Sequence, residues 1–102
     1  MAVEHINENQ FKSVVLDSQK PVLVDFFATW CGPCRQMSPV LDQIASERSD
    51  VKIVKVDVDE NQNLAAQFGV MSIPTLIYFK NGKAVSQAVG ARSKASLETM
   101  LV

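Results

Sequence analysis

Two short apolar runs, VLVDFFA (22–28) and KIVKVDVD (52–59), flank a stretch of different periodicity, CRQMSPVLDQIASER (34–48). The runs are short and β-branched, the first also aromatic, as buried strands are. The middle stretch spaces Met37, Leu41, Ile44 and Ala45 at helical intervals, on one side. A strand, a helix and a second strand returning to the same sheet form a parallel pair with a right-handed crossover. That unit excludes all-α and all-β architectures and predicts an α/β chain.

The flanking segments extend the sheet. VEHI (3–6) reads as a short edge strand, and NENQFKSVVLDS (7–18) as a helix with Asn7 as N-cap, placing Phe11, Val14 and Val15 at helical spacing. NLAAQFG (63–69) is a short helix with Gly69 at C′. TLIYFK (75–80) and KAVSQAV (83–89), joined by Asn81-Gly82, form a hairpin, which makes the sheet mixed. SKASLETML (93–101) closes the chain as a helix capped at Ser93, and Pro39 should kink the helix that contains it. Without repeats, low-complexity runs or linkers, residues 1–102 are expected to form a single domain.

With 47% hydrophobic residues the chain can bury a core without staples or metal. Its 10 basic and 11 acidic residues give a net charge of −1, which offers no attraction to nucleic acid or an anionic membrane. No apolar stretch approaches the roughly 20 residues needed to span a bilayer, and MAVEHINENQ has neither the basic nor the apolar region of an export signal. A cytoplasmic setting is the expectation.

Both cysteines lie within DFFATWCGPCRQMSP (25–39), at Cys31 and Cys34. As a staple, the pair closes a four-residue loop that contributes roughly 2 kcal/mol, against about 3 kcal/mol for a loop of 15 residues. As a metal site it lacks ligands: structural zinc takes four, and the sole histidine, His5, is remote in sequence. A reactive dithiol accounts for the neighbours. A helix starting near Cys31 aims free N–H groups and its positive dipole end at that sulfur, favouring thiolate. Cys34, three residues on, shares the helix face and can attack a mixed disulfide formed at Cys31. Gly32 admits a partner's backbone, Pro33 restricts the loop, and Trp30 covers one side.

VDFFATWCGPCRQMSPVLDQIA, followed by KVDVD, IPTLIYFKNGK and VGA, resembles the thioredoxin family over essentially the whole chain. The resemblance implies a thioredoxin fold: a central mixed β-sheet of about five strands flanked by four helices. It implies a protein dithiol–disulfide oxidoreductase that reduces client proteins through a reversible Cys31–Cys34 disulfide, as a monomer with no bound cofactor or metal. It further implies recharging by thioredoxin reductase, NADPH- or ferredoxin-linked. The alternative is a thioredoxin-like binding subunit that clamps a larger enzyme.

Asp25 interrupts an apolar strand, where a carboxylate is costly unless paired or protonated. Either it turns to solvent, or it is a buried acid with a raised pKa that takes the proton of Cys34; the family has a buried aspartate here. Lys55 is either an exposed strand lysine or, as the resemblance implies, the partner of that carboxylate. Pro74 can serve as an ordinary turn residue; by resemblance it is the family's cis-proline opposite the dithiol, leaving backbone at Ile73 free for a client strand. Ile73, Val89, Gly90 and Ala91, with Trp30, Gly32 and Pro33, would then form an apolar docking face. Arg35 and Gln36 are expected to face solvent. The chain departs from the common pattern at Phe27, where a second tryptophan is usual, and at Met71-Ser72, where many members carry Arg-Gly.

Overall fold

Strand β2 (Val22–Phe27) is buried at all six positions, because it lies at the centre of a five-stranded sheet ordered β1-β3-β2-β4-β5. The computed structural model describes residues 3–102. On one side β2 pairs in parallel with β3 (Lys52–Asp57), and on the other antiparallel with β4 (Thr75–Lys80). The crossover between β2 and β3 is helix α2 (Gly32–Glu47). Strand β1 (Glu4–His5) adds in parallel beyond β3, and β5 (Lys83–Val89) antiparallel beyond β4. This is the mixed sheet that the alternation of periods predicts, with β1, β2 and β3 one or two residues shorter and β4 and β5 at the expected bounds.

The strand period of two sorts β2 between two cores. Val22, Val24 and Phe26 join Val54, Val56, Ile77 and Phe79 against Phe11, Val15, Leu64 and Ala65. Leu23 joins Ile53, Leu76 and Tyr78 against Met37, Leu41 and Ile44 of α2 and against Leu97. Helices α1 (Glu8–Phe11) and α3 (Gln62–Gln67) thus cover one face, and α2 and α4 (Lys94–Met100) the other.

The caps follow the sequence closely. Asn7 and Gln10 exchange side-chain and backbone bonds of 3.0 and 3.2 Å, a capping box that starts α1. Gly69, with φ +66°, ends α3; its N–H donates to Ala66 O and that of Val70 to Ala65 O, a Schellman pair. Asn81 and Gly82 both have positive φ, 53° and 78°, as a primed hairpin turn requires. Any β-carbon on Gly82 would lie 2.9 Å from Leu16 O. Ser93 caps α4 by accepting from Ser96 N–H.

The expected helix over 7–18 is corrected in one respect. After α1 the chain runs as a π-helical turn, Lys12–Leu16, closed by Asp17 N–H donating to Lys12 O at 2.8 Å. A wider turn rotates less per residue, so Val14, Val15 and Leu16 in succession all pack against the same core. Helix α2 begins at Gly32 with Cys31 as its N-cap, matching the expected start near Cys31, and it continues through Pro39.

Candidate active site

The site lies where β2 ends and α2 begins. Phe27, Ala28, Cys31 and Cys34 form a small buried cluster with Val58 and Ile73 at its margin. Cys31 and Cys34 are joined by a disulfide, their Cα atoms 5.2 Å apart. The two sulfurs are not equivalent. Cys31 stands at the N-cap of a 16-residue helix, and its Sγ accepts the Cys34 N–H at 3.1 Å. An amide dipole and the helix's positive end therefore meet at that atom, and both favour negative charge there. Both are buried, Cys31 at 4% and Cys34 at 2% exposure. What separates them in this oxidised state is the hydrogen bond at Cys31, not access to solvent.

The Ile73–Pro74 peptide is cis, and Ile73 O lies 4.0 Å from Cys31 Sγ. Pro74 O in turn accepts from Gly90 N–H at 2.8 Å, which brings the loop after β5 to the same rim. Gly90 has φ +91°, a conformation in which any other side chain is strained. Trp30 and Val89 are exposed on this rim, at 67% and 47%, and Met71 at 96%. Pro33 and Ala91 are exposed too, Gly32 and Ile73 half-buried. The expected docking residues are thus in one neighbourhood, apart from the ring of Pro74, which is buried.

Asp25 lies on the α2 side of β2, between Leu23 and Phe27, and is fully buried. Neither carboxyl oxygen has a hydrogen-bond partner. Burial pushes its pKa up to about 7, against a smaller lowering by the positive charge of Lys55. The solvent-facing alternative is therefore excluded. Lys55 is the register partner of Asp25 across the parallel pair, yet it makes no direct ion pair with it. Its ammonium donates to Ser38 Oγ at 2.9 Å and sits 4.6 Å from the centre of the Phe27 ring. The expected pairing is corrected to attraction without contact, since the lysine's long stem carries its charge beyond the carboxylate towards α2.

A cavity of about 220 Å³ adjoins the disulfide, lined by Phe27, Ala28, Thr29, Cys34, Arg35, Ser38 and Lys55. Arg35 is exposed, as expected, and its guanidinium donates to Thr29 O at 3.0 Å across the mouth of that cavity.

The thioredoxin family model matches residues 2–102. The chain belongs to the thioredoxin family. It is 53% identical over 100 residues to a thioredoxin of Haemophilus influenzae, covering 97% of this chain and 94% of that protein. It is 48% identical over 102 residues to a thioredoxin of Porphyra purpurea, covering 99% and 95%. It is 50% identical over 101 residues to thioredoxin 1 of a Nostoc species, covering 98% and 94%. With this membership and the bonded cysteines, the chain is a protein dithiol–disulfide oxidoreductase whose redox-active group is the Cys31–Cys34 pair. A reductase and disulfide-bearing client proteins are the general partners that follow.

Two neighbours of the site escape a reading of sequence. Asp59 Oδ2 accepts the Trp30 Nε1–H at 2.9 Å, fixing the indole from 29 residues away; no local pattern announces that contact. Met37 Sδ accepts the Arg92 N–H at 3.1 Å, tying α2 to the loop that carries Gly90 and Ala91. Ser38, which holds Lys55, was discoverable in principle, since it stands one helical turn after Cys34.

Proposed function

We propose that residues 1–102 act as one thioredoxin domain in which Cys31 is the attacking sulfur, Cys34 the resolving one and Asp25 the acceptor of Cys34's proton. The Cys31 thiolate attacks one sulfur of a client disulfide; that bond breaks, and the client's other sulfur leaves as thiolate. Cys34 then gives its proton to the Asp25 carboxylate and attacks Cys31 Sγ. The Cys31–client bond breaks, the client leaves with two electrons gained, and Cys31–Cys34 is left oxidised. The single observation that carries the assignment is the amide hydrogen bond from Cys34 N–H to Cys31 Sγ at the N-cap of α2.

On this reading Trp30, Gly32, Pro33, Ile73, Pro74, Val89, Gly90 and Ala91 receive the client. The protein works as a monomer in the cytoplasm, without a bound cofactor, away from nucleic acid and membranes, and an NADPH- or ferredoxin-linked thioredoxin reductase returns it to the dithiol. Among the described residues no helix is long and apolar enough to cross a membrane.

Alkylation of the reduced protein near neutral pH labels Cys31 ahead of Cys34, and Cys34→Ser accumulates mixed disulfides with clients. Preferential labelling of Cys34 reverses the assignment. Cys31→Ser abolishes insulin reduction; a variant that retained every partner and phenotype without turnover would mark the chain as a binding subunit instead.

A further inference from the structure

Lys55 has two places to put its charge. One is the Asp25 carboxyl, its register neighbour, which is buried and lacks any hydrogen-bond donor. The other is the place it occupies, over the Phe27 ring and against Ser38 Oγ on α2. Closing on Asp25 would gain an ion pair but strip the ammonium of the solvent its half-buried position still allows. The hydrogen bond from the charged ammonium to Ser38 Oγ, stronger than one between neutral groups, favours the second place.

We infer that Ser38 is a positioning residue whose hydroxyl tethers the Lys55 ammonium to α2 and keeps it out of contact with Asp25. The serine accepts from Nζ through its oxygen, so its own hydroxyl proton stays free to donate into the cavity it shares with Cys34. With the ammonium held off, burial keeps the Asp25 carboxyl well above the usual range, so it can take a proton. A closed ion pair would leave it a permanent carboxylate and a poor proton acceptor. The inference rests on the proposed role of Asp25 in moving the Cys34 proton.

Other charges face this site. On the same sheet face stand His5 of β1, whose ring lies 5.4 Å from that of Phe27, and Asp57 of β3, the register partner of Phe27. From β4 comes the phenol of Tyr78, with uncharged Leu76 as the register partner of Asp25; from α2 come Cys34 and Arg35. Helix α4 pairs its own charges away from Asp25, Lys94 with Glu47 and Glu98 with Arg48. None of these groups hydrogen-bonds Asp25, and Lys55 is the charge that acts on its carboxyl.

The test is the Asp25 carboxyl titration, followed by carbon-13 NMR in the oxidised full-length protein. Ser38→Ala frees the ammonium and lowers the midpoint by about 1 pH unit, the lower end of what a carboxylate gains from a cation in contact; Ser38→Thr, which keeps a hydroxyl, leaves it near the wild-type value. In a Lys55→Met background Ser38→Ala moves nothing. A midpoint that stays or rises in Ser38→Ala, or the same fall without Lys55, overturns the tether. The role of Asp25 is read separately, from the pH profile of single-turnover client reduction. If the Asp25 midpoint falls in Ser38→Ala while the rate profile stays put, the tether stands and the proton-carrying role of Asp25 falls.

Discussion

The two faces of β2 are buried alike and do different things. Val22, Val24 and Phe26 face α1 and α3, where they pack in a cluster of buried apolar side chains. Leu23, Asp25 and Phe27 face α2, and this row carries a carboxyl with no partner next to a cluster that ends in a disulfide. One face of a six-residue strand contributes packing; the other gives up some stability to bury an ionisable group two residues before Phe27, a member of that cluster. Burial by itself does not distinguish them. What distinguishes them is whether the buried group has a charge state to change.

Substitutions at adjacent positions should therefore differ in sign. Phe26→Ala leaves a cavity on the apolar face and should cost about 3–5 kcal/mol in urea unfolding, nearly independent of pH. Asp25→Asn should stabilise instead, by up to about 4 kcal/mol at pH 8, and progressively less towards pH 4. The sign follows from the direction of the shift. The folded pKa stands at about 7, above the ordinary carboxyl value of 3.8, so the native state holds its proton after the unfolded chain has lost it. Wild-type stability is highest below the unfolded value and falls as pH rises to the folded one. An Asp25→Asn protein less stable than wild type at pH 8 would break the comparison, because the carboxylate would then be a structural partner.

A smaller effect sharpens the same contrast. Lys55→Met removes the one cation that lowers the Asp25 pKa, so the carboxyl should titrate above about 7 and the pH-dependent loss of stability should extend to higher pH. A Lys55→Met protein whose Asp25 titrates unchanged would mean that the ammonium over Phe27 is too well screened to matter. The smallest effect belongs to the exposed rim. Trp30→Phe deletes the bond to Asp59 and should change stability by no more than about 1 kcal/mol, while raising the KM for a protein client more than it lowers kcat. A drop in kcat alone would place Trp30 in the redox step and not in docking.

Local chemistry wrote much of the molecule plainly. Strand against helix was set by apolar period, the hairpin by Asn81-Gly82, and helix ends by Asn7, Gly69 and Ser93, because each depends on residues within a few positions of one another. The dithiol was equally legible, since its chemistry is contained in the four residues from Cys31 to Cys34 and the helix that begins among them. Even the burial of Asp25 could be read, from the apolar residues on both sides of it.

What the tertiary structure alone decided is where long side chains end. Lys55 and Asp25 are register partners, and the strand pairing says they share a face; it does not say that the ammonium passes the carboxylate to reach Ser38 on another element. Trp30 finds Asp59, and Met37 finds the amide of Arg92, across gaps of 29 and 55 positions. The equal burial of Cys31 and Cys34 belongs to the same class, for it depends on Ile73 and Val58 closing over the sulfurs from distant loops. Backbone conformation is dictated by neighbours along the chain, whereas the charge state and reach of a side chain are dictated by neighbours in space.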